Sequence, residues 1–166
     1  DVFAGQNEFF LRTHNGSANI PYANWGLCNM ASMLAIGILN DNSTKFDWVV
    51  NYFYEGWGHG AVGNGTNFII ANYTEPGSAK IISQGQEAGR DQGHATLDFS
   101  LAGVLAQQAY SQGTDLFAAV DNAVLNGCVM LLHFLILLLS ISLYVQLWPY
   151  WPKAHCLLQS RVLLQI

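Results

Sequence analysis

The most polar part of the chain is Gln86-Glu87-Ala88-Gly89-Arg90-Asp91-Gln92-Gly93-His94. These nine residues hold one guanidinium, two carboxylates, two carboxamides and one imidazole, in a chain with 6 basic and 11 acidic residues. Downstream, Leu97, Leu101 and Leu105 recur at helical spacing. The pattern predicts a helix from Asp91 to Gln112, with the polar stretch in its first turn and in the preceding loop. Such a position can hold several polar groups rigidly beside one ligand.

A second apolar helix is predicted from Asn24 to about Asn40. Its apolar residues recur at three- and four-residue steps and also occupy the opposite side, which suits an inner helix of a two-layer helical shell. We expect Asn24 to cap this helix and Cys28, which lies within the apolar pattern, to be a buried free thiol. A short link leads to a helix from Lys45 to Tyr54, capped by Ser43-Thr44, so the two helices should form an antiparallel hairpin.

The other segments complete an all-α prediction. Residues 1–12 have the pattern of a helix, and residues 55–85 are a glycine-rich loop with short strand-like pieces at 68–70 and 81–82. Thr114-Asp115 is predicted to cap a helix that ends at Asn126 and forms a second hairpin with the helix before it.

Two of these segments carry a family resemblance. Glu87 to His94 resembles the E-S/A-G-R-D-Q-G-H signature of alginate-lyase-domain proteins from fungi and bacteria. Asn24 to Gly37 resembles the N-W-D-L-C-x-x-x-S-M-x-A-I-G helix of that family, with Gly26 in place of the usual acidic residue. The likeness covers roughly residues 1–127 and implies a polysaccharide lyase with an (α/α) toroid fold. We therefore expect residues 1–127 to be a fragment of such a toroid, an incomplete barrel of antiparallel helical hairpins, from a longer protein.

The resemblance implies β-elimination on a uronic-acid-containing glycan, such as alginate or glucuronan. This reaction needs donors that neutralise the substrate carboxylate, and groups that transfer protons. Arg90 is a permanent forked cation suited to a carboxylate, His94 suits proton transfer, and the two would share one helical face if both are helical. Asn24 is the third catalytic candidate, because its amide can neutralise a carboxylate without carrying charge. The substrate-binding candidates are Gln92, Trp25, Trp57, His59 and Tyr73.

Some roles have alternatives. Glu87 and Asp91 are supporting candidates, expected to orient Arg90 and His94 rather than to react. Core packing is the favoured role of Trp25, and His14 is expected at a loop surface. The family commonly uses a tyrosine as an acid, and the sequence does not place it. Either it comes from Tyr54, Tyr73 or a helix outside this chain, or His94 takes its role.

Composition limits the partners. The acidic net charge of -5 argues against a nucleic-acid partner and leaves an anionic polysaccharide, drawn by the local field of Arg90, as the expected one. The sequence motifs imply no metal and no cofactor. Two rival functions stay open: a glycoside hydrolase with Glu87 and Asp91 as acid and base, and a non-catalytic membrane-anchored protein.

Residues 128–166 form a second segment of different character. No Asp, Glu, Lys or Arg occurs from Cys128 to Pro152, and Cys128 to Trp148 is long enough to cross a membrane. Three interpretations stay open: a membrane helix, a buried toroid helix, and translated non-coding sequence. N-glycosylation motifs favour a secreted protein, with membrane anchoring as the alternative, and begin at Asn15, Asn42, Asn64 and Asn72.

Overall fold

The computed structural model describes residues 2–14, 22–58, 60–62 and 68–147. The described residues are mostly helical, which confirms the all-α prediction at the level of class. The helices are α1 Val2–Thr13, α2 Ala23–Leu39, α3 Ser43–Glu55, α4 Gln92–Tyr110 and α5 Ala119–Leu147. A two-stranded antiparallel sheet consists of β1 Ile69–Thr74 and β2 Ile81–Gly85, and a 3-10 helix follows it at Gln86–Gly89.

Helix α2 lies at the centre of the first half of the chain. It packs against α1, α3 and α4, and its Leu27, Met30 and Leu34 are fully buried. A side-chain hydrogen bond of 2.6 Å from Asn7 Nδ2 to Ser32 Oγ joins α1 to it. The apolar residues on several sides of α2 are thus explained, because three helices cover it.

The contacts fix the directions of the helices. Helices α2 and α3 are joined by the short link 40–42 and pack as the predicted antiparallel hairpin. At the start of α2, the N–H of Ala23 donates to Oε1 of Gln86, just before α4. At the other end, Ile38 and Gln112 line one cavity of about 200 Å³. Helices α2 and α4 therefore run parallel, and their N-termini meet at one end.

Three expectations about the apolar helices are wrong. Helix α2 begins at Ala23, so Asn24 lies inside its first turn and does not cap it. Helix α3 is capped by Asn42, whose Oδ1 accepts from the N–H of Lys45 at 2.9 Å, and not by Ser43-Thr44. Cys28 is exposed, because it lies on a side of α2 that the three neighbouring helices leave open.

The glycine-rich segment contains the sheet. Of the predicted strand pieces, 69–70 and 81–82 belong to it, whereas Phe68 precedes β1, and both strands extend further than predicted. The turn between them passes through Gly77, whose φ of +81° is a conformation that glycine adopts easily. The N-glycosylation motif at Asn72 lies in β1 rather than in a loop. Oδ1 of Asn72 accepts a hydrogen bond from Ser83 Oγ. The motifs at Asn15 and Asn64 lie outside the described residues.

The last helix differs from its prediction at both ends. Asp115 Oδ1 accepts from the N–H groups of Phe117 and Ala118, which forms a turn before α5 rather than its cap. Residues 120–122 have positive φ, so regular helix starts only after this kink. The helix then continues past Asn126 to Leu147. The chain divides into two compact units, Asp1–Leu131 and Leu132–Ile166, and the predicted division after residue 127 stays a prediction.

The segment Ala119–Leu137 is apolar and long enough to cross a membrane, with a mean hydropathy of 1.7, by length and composition alone. Leu132, Ile136 and Leu139 are each more than half exposed. The three interpretations of this segment stay predictions. Trp148 and the residues after it lie outside the described residues.

Candidate functional site

The polar stretch wraps around the start of α4. Gln86 to Gly89 form the 3-10 helix, Arg90 is in a turn, and Asp91 is the N-cap of α4. Oδ1 of Asp91 accepts from the N–H of His94 at 2.9 Å, as an N-cap side chain does. Arg90 precedes α4, so the condition under which Arg90 and His94 would share a helical face is not met.

Asp91 nevertheless links these two side chains. Its Oδ2 is 2.6 Å from Nδ1 of His94 and 3.9 Å from Nε of Arg90. The hydrogen bond from the His94 N–H, followed by the bond to the His94 side chain, lowers the pKa of Asp91 below its ordinary value. Because an ionised carboxylate only accepts, Nδ1 of His94 carries a hydrogen, which leaves Nε2 as the basic nitrogen of the neutral ring.

The Arg90 guanidinium contacts Glu87 and Tyr22 and is partly exposed to solvent. Glu87 is 2% exposed, and its Oε2 lies 3.4 Å from Nη1 of Arg90. The Arg90 side chain is 41% exposed and lies over the ring of Tyr22, with Cζ 4.3 Å from the ring centre. A buried anion and an aromatic face thus fix the guanidinium while part of it faces solvent.

A row of ring contacts, the aromatic row, leads away from Arg90. Neighbouring ring centres lie 4.2–6.4 Å apart. Trp25 is 49% exposed, so its favoured core role is wrong, and Tyr22 and Trp57 are also close to half exposed. In order from Arg90, the members of the row are Tyr22, Trp25, Phe10, His14 and Trp57.

His14 is buried at 2% exposure, so its expected surface position is wrong. Its Nε2 is 3.3 Å from the hydroxyl of Tyr52, which donates to the carbonyl of Leu11 at 2.9 Å. Burial raises the pKa of Tyr52 to about 12, so its phenol stays protonated. A Cβ at Gly58 would lie 2.5–2.7 Å from His14 and Tyr52 atoms, so the pair needs glycine there. The residues are 38 positions apart, and nothing in the sequence pattern links them.

The structure does not bring every candidate to the polar stretch. Asn24 is 5% exposed in the first turn of α2, and its Oδ1 has no partner among the described residues. Gln92 is exposed at the first position of α4. Tyr73 is half exposed on β1 and donates to Gln84 within the hairpin. His59 lies outside the described residues.

Asp98 is a member of the site that the sequence reasoning missed. It is 0% exposed on α4, one turn beyond His94. Burial first, and then the negative charge of Glu87, raise the pKa of Asp98 from 3.8 to about 7. An acidic residue between Leu97 and Phe99, inside an apolar repeat, was the available signal.

Within the described ranges, no group of three or more His, Cys, Asp or Glu side chains is arranged to hold a metal ion. No family model, no curated protein and no solved structure matches the chain.

Proposed function

We propose that this chain is the alginate-lyase-like part of a polysaccharide lyase that cleaves a uronic-acid-containing glycan by β-elimination. The observation that carries the proposal is the half-exposed Arg90 at one end of the aromatic row. The row offers flat apolar faces to sugar rings, and the guanidinium offers two parallel donors to a sugar carboxylate. This combination suits an anionic polysaccharide better than a neutral one.

The meeting of two helix N-termini adds to the field at Arg90. Helices α2 and α4 begin at the same end, where Gln86 binds the first N–H of α2. The N-terminus of each helix carries a partial positive charge that favours an anion within the first turn. These charges help to attract a uronate to a chain whose net charge is -5.

One pair of side chains supports proton transfer: Asp91 orients His94 so that Nε2 of the neutral ring can accept a proton. Tyr52 is 9% exposed, and its hydroxyl donates to the carbonyl of Leu11, so we do not assign it as the tyrosine acid that the resemblance implies. We assign the role of general base to His94 and the binding of the substrate carboxylate to Arg90. Trp25 and Trp57 would stack on the sugar rings.

The arrangement of helices supports a toroid. In an (α/α) toroid, consecutive hairpins place an inner helix beside the next inner helix, with outer helices running the opposite way. Here α2 and α4 run parallel, and α3 returns antiparallel against α2. We propose that α2 and α4 are neighbouring inner helices.

The geometry gives less support to the rival hydrolase. Its acid would be Glu87, which is 2% exposed and lies behind Arg90, out of reach of a glycosidic oxygen. Its base would be Asp91, which caps α4 and binds His94.

The test incubates the chain with oligomers of mannuronate, guluronate or glucuronate and follows the ultraviolet absorbance of unsaturated ends, which only elimination produces. We expect the Arg90→Ala variant to show no increase in this absorbance. Arg12→Ala is the matched control, since Arg12 also pairs with a glutamate and lies over an aromatic ring, that of Trp48. New reducing ends without absorbance would favour the hydrolase. A chain that neither cleaves nor binds any of the oligomers would contradict the proposal.

A further inference from the structure

Helix α5 changes character along its length. Near its start Ala123 and Val124 are buried, and Leu131 still packs against the core. Beyond that point four apolar side chains are each more than half exposed: Leu132, Ile136, Leu137 and Leu139. The helix thus leaves the core and continues as exposed apolar surface.

The continuation has no polar side. A surface helix of a soluble protein carries polar or charged residues opposite its apolar stripe. From Cys128 to Trp148 no residue is Asp, Glu, Lys or Arg, and the clearly polar residues are His133, Ser140, Ser142 and Gln146. At helical spacing these four fall on two opposite faces, so they form no polar stripe. A helix that is apolar all round is either buried in a core or crosses a membrane.

Two observations favour the membrane. A core helix is mostly buried, whereas only 18% of the apolar window in Ala119–Leu137 is buried. The hydroxyl of Ser140 donates to the carbonyl of Ile136 at 2.8 Å, so this polar group is satisfied within the helix, as a hydrocarbon environment requires.

We propose that residues 128–148 cross a lipid bilayer once, with the part of the chain before them on the outer side. At about 1.5 Å per residue this segment is about 30 Å long, which matches the hydrocarbon thickness of a bilayer. In the sequence, Trp148, Tyr150 and Trp151 come at its far end, and Trp and Tyr are enriched where a span meets the membrane surface.

The direction of the span follows from the charges on its two sides. Residues 108–127 contain Asp115 and Asp121 but no Lys or Arg, whereas residues 149–166 contain Lys153 and Arg161 but no Asp or Glu. Segments rich in Lys and Arg stay on the cytoplasmic side of a span, and they complement the anionic lipids of that leaflet. The residues after the span are therefore assigned to the cytoplasm.

The N-glycosylation motifs agree with this direction. All four precede the span, and no asparagine follows residue 126. Asn42 and Asn72 are exposed. Oδ1 of Asn42 caps α3, so a glycan on Nδ2 would leave the cap intact. N-glycans are attached only on the lumenal side of the membrane, which becomes the outer side of the cell.

The experiment translates the full chain, with a cleavable secretion leader before Asp1, in the presence of microsomes. We expect the chain to resist extraction by alkaline carbonate and to carry N-glycans that an endoglycosidase removes. With Cys156 as the sole cysteine, a membrane-impermeant maleimide should label intact microsomes. With Cys28 as the sole cysteine, which is exposed in the folded chain, labelling should require opened membranes.

Paired substitutions locate the span. Ile136→Arg with Leu139→Arg places two charges inside it, so the fraction that resists extraction should fall several-fold. Leu97→Arg with Val104→Arg is the matched control, because these apolar residues of α4 are also exposed but lie outside the span. This control should leave the fraction unchanged.

The outcomes separate the parts of the proposal. Release by carbonate, or a Cys156 that is labelled only in opened membranes, overturns the crossing. An integrated chain without glycans, whose Cys28 is labelled in intact microsomes, overturns the direction. Equal losses in the two arginine pairs overturn the assignment of the span to residues 128–148. These measurements use no polysaccharide substrate, so they are independent of the proposed lyase activity.

Discussion

Arg90 Cζ lies 4.3 Å from the centre of the Tyr22 ring. Tyr22 is the N-cap residue of α2, and Arg90 lies in the turn before α4, so this contact joins the starts of two parallel helices. The two residues are far apart in the sequence, so only the fold brings them into contact. The contact fixes the guanidinium at the end of the aromatic row.

Replacement of Tyr22 by leucine should weaken the binding of uronate oligomers. The change removes the ring face that holds the guanidinium, a contact of about 0.5–1 kcal/mol at an exposed site, which corresponds to a several-fold loss of affinity. Tyr22→Phe keeps the face and should bind like the wild type. Calorimetric titration measures both, and equal losses in the two variants would show that the hydroxyl, not the ring, matters.

Loss of the Gln86 side chain should destabilise the fold. Its Oε1 accepts from the N–H of Ala23 at 2.7 Å, and that N–H is one of the four at the start of α2 without a helical partner. We expect Gln86→Ala to lower the free energy of unfolding by about 1 kcal/mol in denaturant titration. Gln112→Ala, at an exposed glutamine beyond the end of α4, should change it by less than about 0.5 kcal/mol.

Two glycine-to-alanine changes should have opposite signs. A Cβ at Gly58 would overlap His14 and Tyr52, so Gly58→Ala should destabilise the protein by about 1–3 kcal/mol. A Cβ at Gly103 meets no atom within 4 Å, and the residue is inside α4. Gly103→Ala should therefore stabilise the protein by about 0.5–1 kcal/mol. Thermal unfolding measures both, and a loss of stability in both variants would contradict the open space around Gly103.

Removal of the Asp91 carboxylate should lower the stability of the protein at neutral pH and leave it unchanged at acid pH. Its pKa is lowered in the folded state, chiefly by the His94 N–H, so its contribution to stability exists above the unfolded-state pKa. This contribution disappears as the pH falls through the folded-state value. Asp91→Ala should lower the melting temperature by a few degrees near pH ~7, with the difference closing below about pH 4.

The control for this prediction is Asp47→Ala, which removes an exposed carboxylate that is not an N-cap. A difference between wild type and Asp91→Ala that persists unchanged at acid pH would assign the effect to something other than the charge.

The sequence predicted the helices well where an apolar repeat set them. Helices α2, α3 and α4 lie within a few residues of their predicted bounds, because each buries a periodic set of side chains. The caps were less predictable. Asn24 had the residue type of a cap, but Gln86, 63 residues away from Ala23, supplies the acceptor, and no local pattern encodes such a contact.

The site was predictable only in its local contacts. The pairing of Asp91 with His94, three residues apart, follows from the N-cap position. The aromatic row does not, because Phe10, Trp25 and Trp57 come from three separate segments. Asp98 was missed although its place inside an apolar repeat was a signal of burial; the influence of Glu87 on its pKa depends on the fold and is not displayed by a single sequence.

The bond between Gln86 and Ala23 also bears on how the molecule folds. It closes a loop of 63 residues, and the entropy of closing so long a loop must be overcome before the bond contributes. The N–H of Ala23 thus gains this acceptor only when two parts of the chain that are 63 positions apart have come together. Mutations at Gln86 should therefore speed unfolding while leaving the folding rate nearly unchanged, which is the behaviour of a contact made after the transition state.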